Sequence, residues 1–280
     1  MKKWLFLLLM LGSLAYAQQT VTYQYTNHEG NLQSVEATLR KPTGAPNNKA
    51  LVILHHAGGW SQGTTNQYAE MFSAHGYMTL EPRMFNTRSQ MKDSAEHLSQ
   101  AMGGLIYLAG QPGVDKSQIS LIGLSYGSWI AVYAGTDWAT KKFTQGQVKF
   151  SKIAPLYAVC WLLEQGARKE LGSLRNKAYP ANMFDQWTHV PLRFFSGSED
   201  DYDEKDPKTC QNFIDAIPDV TQRDLSSVNV YKATHGWDQQ KTVTFFEKAA
   251  CKGKGCVNTN RFDPEVTERV KKDLLRFIEE

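Results

Sequence analysis

The sequence predicts an α/β fold, a mostly parallel central sheet with helices on both faces. Three observations carry this. Apolar runs alternate with helix-like segments along the chain, as βαβ units require. Two of the runs, Ala50 to Leu54 and Ile119 to Leu124, are continuously apolar, as in strands buried on both faces. The second run ends in Gly123-Leu-Ser-Tyr-Gly127 and passes straight into a helical pattern. A Gly-x-Ser-x-Gly at a strand-to-helix turn presents the serine hydroxyl at the edge of the sheet.

The 280 residues, 41% hydrophobic and 21% charged, suffice for one large domain with a full core. The first seventeen residues stand apart. Met1-Lys2-Lys3 is a basic start, Trp4 to Leu14 an apolar run, and Ala15-Tyr16-Ala17 a small-residue cleavage site. Residues 1–17 therefore read as a secretory signal peptide, with no stable membrane insertion after cleavage. The run is too short to span a bilayer comfortably as an uncleaved anchor. The mature chain, 18–280, is expected to be exported, to a periplasm or beyond the cell. Its charge is near neutral once Lys2 and Lys3 are gone, and no clustered basic face suggests nucleic-acid binding.

Export colours the reading of the 4 cysteines. An even count in an oxidising compartment favours disulfides. Cys251 and Cys256 flank a Gly-rich turn and can close locally, which leaves Cys160 with Cys210. No histidine pair accompanies them at zinc-ligand spacing.

In order, Val21 to Tyr25 and Ser34 to Leu39 form a hairpin about the Asn27-to-Asn31 turn. Ala50 to Leu54 is the first buried strand and ends in His55-His-Ala-Gly-Gly-Trp60. A helix over Thr65 to His75 closes at Gly76, and Tyr77 to Leu80 is the next strand. Met91 to Ala109 is a long helix. Ile119 to Leu124 and the helix from Tyr126 to Gly135 flank Ser125. Lys149 to Tyr157 is a further strand. Residues 161–188 hold no clean strand and read as a small excursion over the sheet's C-terminal edge. Val190 to Phe195 is a strand running into Ser196-Gly-Ser-Glu-Asp-Asp-Tyr-Asp203, and Asp206 to Ile217 is a helix with Pro207 in its first turn. Ser227 to Lys232 is the last strand expected, delivering Thr234-His-Gly-Trp-Asp238. The final helix has Asp263 as N-cap, Pro264 in its first turn and apolar residues at helical spacing.

Three groups thus fall at the C-terminal ends of separate strands: Ser125, an aspartate among 200–203, and His235. Ligands of open parallel sheets bind beyond those ends. The order Ser, Asp, His is that of the α/β-hydrolase fold. A serine hydroxyl needs a base to become a nucleophile. Imidazole takes and returns a proton near neutrality, and a carboxylate fixes its tautomer. Asp200 is the first choice for the acid and Asp201 the second. An oxyanion hole would use the backbone N–H of Tyr126 and a second from the 55–60 loop, with Ala57 preferred to Gly58. Trp60, Trp129, Trp161 and Trp237 are substrate-pocket candidates, with a core role the alternative for Trp129 and Trp161. His55 and His56 shape the oxyanion loop rather than bind metal. His28, His75, His97 and His189 are structural or exposed.

Gly-Leu-Ser-Tyr-Gly, the Gly197-Ser-Glu-Asp-Asp-Tyr-Asp stretch with Cys210 beyond it, and Thr234-His-Gly-Trp-Asp238 together resemble the dienelactone hydrolase family of α/β-hydrolases. Glu81-Pro-Arg-Met-Phe85 is similar to that family's Pro-Asp-Leu-Tyr segment, with Arg83 in place of the aspartate. The resemblance spans about residues 30 to 280. It implies the α/β-hydrolase fold, hydrolysis, and triad roles for Ser125, Asp200 and His235. Dienelactone hydrolase proper uses a cysteine nucleophile, so lactone specificity does not carry over to a serine form. Arg83 and Arg88 are the candidates for the family's substrate-binding arginine, with a plain surface role the alternative for both. The expectation is a carboxylic-ester hydrolase acting on a small-molecule ester without a cofactor. The alternatives are a peptidase or acyltransferase on the same triad, or a non-catalytic binding protein.

Overall fold

The computed structural model describes residues 18–172 and 175–280, and the expected signal peptide at 1–17 lies outside them. A hairpin opens the chain: β1 (Gln18–Thr26) and β2 (Leu32–Arg40) pair antiparallel. Asn27 makes their turn, its side-chain oxygen accepting the N–H groups of Glu29 and Asn31. Then follow β3 (Ala50–Leu54), α1 (Asn66–Ala74), β4 (Met78–Pro82), α2 (Ser94–Ala109), β5 (Ile119–Leu124) and α3 (Tyr126–Ala134). The second half runs α4 (Asp137–Thr144), β6 (Ile153–Leu156), α5 (Cys160–Ala167), β7 (Leu192–Gly197), α6 (Thr209–Ala216), α7 (Val220–Asp224) and β8 (Ser226–Tyr231). It closes with β9 (Val243–Glu247), β10 (Cys256–Asn260) and α8 (Pro264–Glu279).

The central sheet has 8 strands in the order β1-β2-β4-β3-β5-β6-β7-β8. β2 meets β4 antiparallel, and every pairing from β4 to β8 is parallel. The period-2 alternation of a strand explains why β3 is apolar throughout. Ala50, Val52 and Leu54 enter the core beneath α2 and α3, while Leu51 and Ile53 enter the opposite core with α1 and α8. α8 starts where Asp263 accepts the Val266 N–H at 2.9 Å, and buries Val270, Leu274, Phe277 and Ile278 along one stripe.

Several boundaries differ from expectation. α2 begins at Ser94 rather than Met91, because the Asp93 side chain accepts the Ala95 N–H at 2.7 Å and caps the helix there. Pro207 lies before α6 rather than in its first turn, since Asp206 forms a side-chain turn onto the Lys208 N–H. The eighth strand is not the last. β9 and β10 form a separate two-stranded sheet closed by the Cys251–Cys256 disulfide. Phe246 and Val257 are exposed on it, so it lacks the one-sided burial that marks a strand in sequence.

Residues 161–188 start as α5 and contain no strand among the described residues. Tyr179, Met183, Phe184 and Trp187 are buried and join the α2–α3 core. The Cys160–Cys210 disulfide fastens α5 to α6, whose Cα atoms there stand 4.9 Å apart. Both cross-links suit an oxidising environment. Among the described residues, no helix is long and apolar enough to cross a membrane.

Candidate active site

The turn between β5 and α3 requires its glycines. A Cβ on Gly123 would stand 2.2 Å from the Gly127 carbonyl oxygen, and one on Gly127 would stand 2.6 Å from that of Leu54. Ser125 itself is held at φ 50°, ψ −109°, a conformation costing on the order of 1–3 kcal/mol. Its N–H donates to the Leu156 carbonyl at 3.0 Å, which pins the turn to β6.

The structure brings Ser125, His235 and Asp200 into one hydrogen-bonded chain. Ser125 Oγ lies 2.8 Å from His235 Nε2, and His235 Nδ1 lies 2.8 Å from Asp200 Oδ2. A carboxylate only accepts, so Nδ1 carries the proton and Nε2 is free to accept from the serine. His235 and Asp200 are 2% and 3% exposed, so this pair is shielded from water. The other Asp200 oxygen accepts the Tyr202 N–H at 2.9 Å. Asp201 turns away, accepting the Thr259 N–H at 3.0 Å and facing Lys205.

The acid loop is clasped from outside. In the loop between β9 and β10, the N–H groups of Cys251 and Lys252 donate to the carbonyls of Asp201 and Tyr202 at 2.9 and 3.0 Å. Below the loop, buried Asp203 accepts the N–H groups of Cys160 and Trp161 and so caps α5. Burial raises its carboxyl above the usual carboxylate range, and the Asp200 charge adds to the shift. Asp203 is also the carboxylate near Cys160 and Cys210, the one His/Cys/Asp/Glu group of metal-binding proximity among the described residues. Both sulfurs are spent in the disulfide, which leaves a single ligand.

In the 55–60 loop, the Gly58 N–H donates to His56 Nδ1 at 2.9 Å, and His56 Nε2 in turn donates to Thr64 Oγ1. Gly58 is therefore engaged internally. The N–H groups of Ala57 and Tyr126 have no acceptor among the described residues. Burial, with a contribution from His235, lowers His56 to about 4, and burial lowers His55 to about 3.

Of the other histidines, His97 alone is fully buried, its Nδ1 lying 2.7 Å from the Tyr126 hydroxyl. Burial lowers its pKa to about 4. A depressed folded-state pKa means that the unfolded chain binds the proton first. Stability from this group is thus present above about pH 6.5 and lost as pH falls toward 4. His97→Gln should flatten the slope of unfolding free energy against pH in that window by up to about 1.4 kcal/mol per pH unit. Urea titrations at stepped pH measure it, and parallel slopes for variant and parent would refute the assignment.

The four tryptophans separate. Trp129 and Trp161 line a cavity of about 530 Å³ beside α3 and α5. Trp60 is half-buried on the 55–60 loop, with the Arg83 guanidinium 5.3 Å from its ring centre. Trp237 does not line a pocket: it is fully buried against Tyr157 and Tyr231, because the turn after His235 folds inward. Arg83 pairs with Glu36 on the outer hairpin, whereas Arg88 pairs with Glu247 of β9. Two tyrosines flank His235 that sequence reading did not single out. Tyr202 lies with its ring centre 4.4 Å from the imidazole, and Tyr157 meets it edge-on at 5.1 Å. Tyr157 and Tyr68 both donate to buried Asp238, which fixes the turn carrying His235. Burial raises Asp238 to about 6.

No protein-family model matches this chain, and no curated protein matches it. Solved structures do. A dienelactone hydrolase candidate from Klebsiella pneumoniae subsp. pneumoniae superposes with a TM-score of 0.63 at 12% identity, covering 94% of this chain and 99% of its own. Esterase 2 of Thermogutta terrifontis, in a form phosphorylated by paraoxon, gives 0.64 at 16% identity over 94% of each chain. A dienelactone hydrolase-like promiscuous phosphotriesterase from metagenomic libraries gives 0.58 at 12% identity, over 94% of this chain and 98% of its own. The chain has the α/β-hydrolase fold, in the form shared by dienelactone hydrolase-like and esterase structures.

Proposed function

We propose that the chain is an exported serine hydrolase that cleaves carboxylic esters through an acyl-enzyme. The observation that carries this reading is the relay Ser125 Oγ, His235 Nε2, His235 Nδ1, Asp200, with both links at 2.8 Å. His235 Nε2 takes the hydroxyl proton as Ser125 Oγ attacks the ester carbonyl. Asp200 holds the ring and stabilises the imidazolium. The N–H groups of Tyr126 and Ala57 receive the oxyanion, and each is worth about 2.7–4 kcal/mol in the transition state. The C–O bond breaks as His235 returns the proton to the departing alcohol. Water then gives a proton to His235, attacks the acyl carbon, and frees the acid and Ser125. No step calls on a cofactor.

The similar structures include a butyrate-bound esterase 2 from Thermogutta terrifontis, which supports a carboxylic ester as the substrate class. Export rests on the basic and apolar start, the Ala15-Tyr-Ala17 site and the two disulfides.

Partitioning tests the acyl-enzyme. With methanol added, butyrate esters of several alcohols should yield methyl butyrate and butyric acid in one fixed ratio, because all pass through the same intermediate. A ratio that changes with the leaving group would contradict it.

A further inference from the structure

The cavity of about 530 Å³ belongs to no step above: neither Ser125 nor His235 lines it. Its walls are aromatic. Trp129, Tyr133, Trp161, Tyr179 and Phe184 surround it. Trp129 stands one turn of α3 beyond Ser125, a rise of about 6 Å along the helix, so one wall of the cavity is carried by the helix that Ser125 leads into. Its wall is tied in place. Asn176 Nδ2 donates to Asp93 and Ser94, and the Tyr179 hydroxyl donates to Ser94 Oγ. Trp161 is fixed by its indole N–H on the Ala249 carbonyl at 3.2 Å and packs against Gly253 of the disulfide-closed loop.

Three cations also line the cavity: Lys169, Arg175 and Lys248. Lys169 is neutralised by Asp185 at 2.9 Å. Arg175 and Lys248 have no carboxylate partner among the described residues. Flat aromatic walls favour stacking against a planar ring. Unpaired cations at the same cavity favour an anionic substituent on that ring.

We propose that this cavity is the specificity site for the arm of the ester remote from the scissile bond, and that it takes an aromatic group carrying a carboxylate. This rests on the serine-hydrolase reading for the word substrate. Binding itself can be read without turnover.

The probe is naphthalene-2,6-dicarboxylate, titrated calorimetrically into the Ser125→Ala protein. It should bind there as it does to the parent, and should compete with 4-nitrophenyl acetate in the parent. Uncharged 2,6-dimethylnaphthalene should bind more weakly. Arg175→Gln with Lys248→Gln, both exposed positions, should weaken the dicarboxylate about tenfold or more and leave the uncharged compound unchanged. Ala249→Trp, which fills the cavity, should abolish binding of both. Failure of the dicarboxylate to bind Ser125→Ala, or binding indifferent to the charge-removing pair, would overturn the proposal. Either result leaves ester hydrolysis by the parent standing, whereas a Ser125→Ala protein as active as the parent would sink the hydrolase reading alone.

Discussion

Ser125→Ala should lower kcat for a short-chain chromogenic ester by about 10⁴- to 10⁶-fold, with KM little changed. Only Oγ is removed. Alanine inherits the same backbone strain at φ 50°, and the Ser125 N–H bond to Leu156 stays in place. The variant should therefore melt close to the parent. His235 keeps Asp200 and loses only the hydroxyl at 2.8 Å. Residual hydrolysis would come from an oxyanion hole acting on water alone.

The second large effect separates two neighbouring aspartates. Asp200→Asn should cost about 10⁴-fold in kcat. Asn at this position has a defined orientation. The Tyr202 N–H lies 2.9 Å from Oδ1 and requires an acceptor there. The amide oxygen therefore occupies that side, and the amide NH₂ faces His235 Nδ1. A donor at that point forces Nδ1 to accept and moves the ring proton to Nε2. His235 then cannot take the serine proton. Asp201→Asn keeps an oxygen for the Thr259 N–H and loses only a half-exposed pair with Lys205. Its kcat should stay within about threefold of the parent, since such surface pairs contribute about 0–1 kcal/mol. Comparable losses for the two variants, measured on one ester, would contradict the geometry.

The parts of this molecule legible in sequence are those where one physical demand dominates. β3 and β5 lie in the middle of the sheet, and burial on both faces left no room for polar residues. The elbow declares itself because backbone crowding at Gly123 and Gly127 excludes any side chain. α8 is readable through its cap and its single apolar stripe. Asp200 and Asp201 could not be separated in sequence, because both are short acids in one loop and only the loop's curvature decides which faces His235. Tyr157 gave no signal at all. It adopts φ 40° at the end of β6, a conformation that sequence patterns associate with glycine, and its role depends on Asp238 in a distant turn. Trp237 looked like its fellow tryptophans, yet packs wholly inside. β9 and β10 escaped because their apolar residues face solvent and the Cys251–Cys256 cross-link bounds the turn between them.

The reading stands or falls on whether Ser125 is an activated nucleophile. A fluorophosphonate probe forms a bond to such a serine with loss of fluoride, and peptide mapping locates the adduct. The relay through His235 and Asp200 predicts one adduct per chain, on Ser125, with no label in Ser125→Ala and strongly slowed labelling in Asp200→Asn. An unlabelled parent protein, or an adduct on another residue that persists in Ser125→Ala, would contradict it.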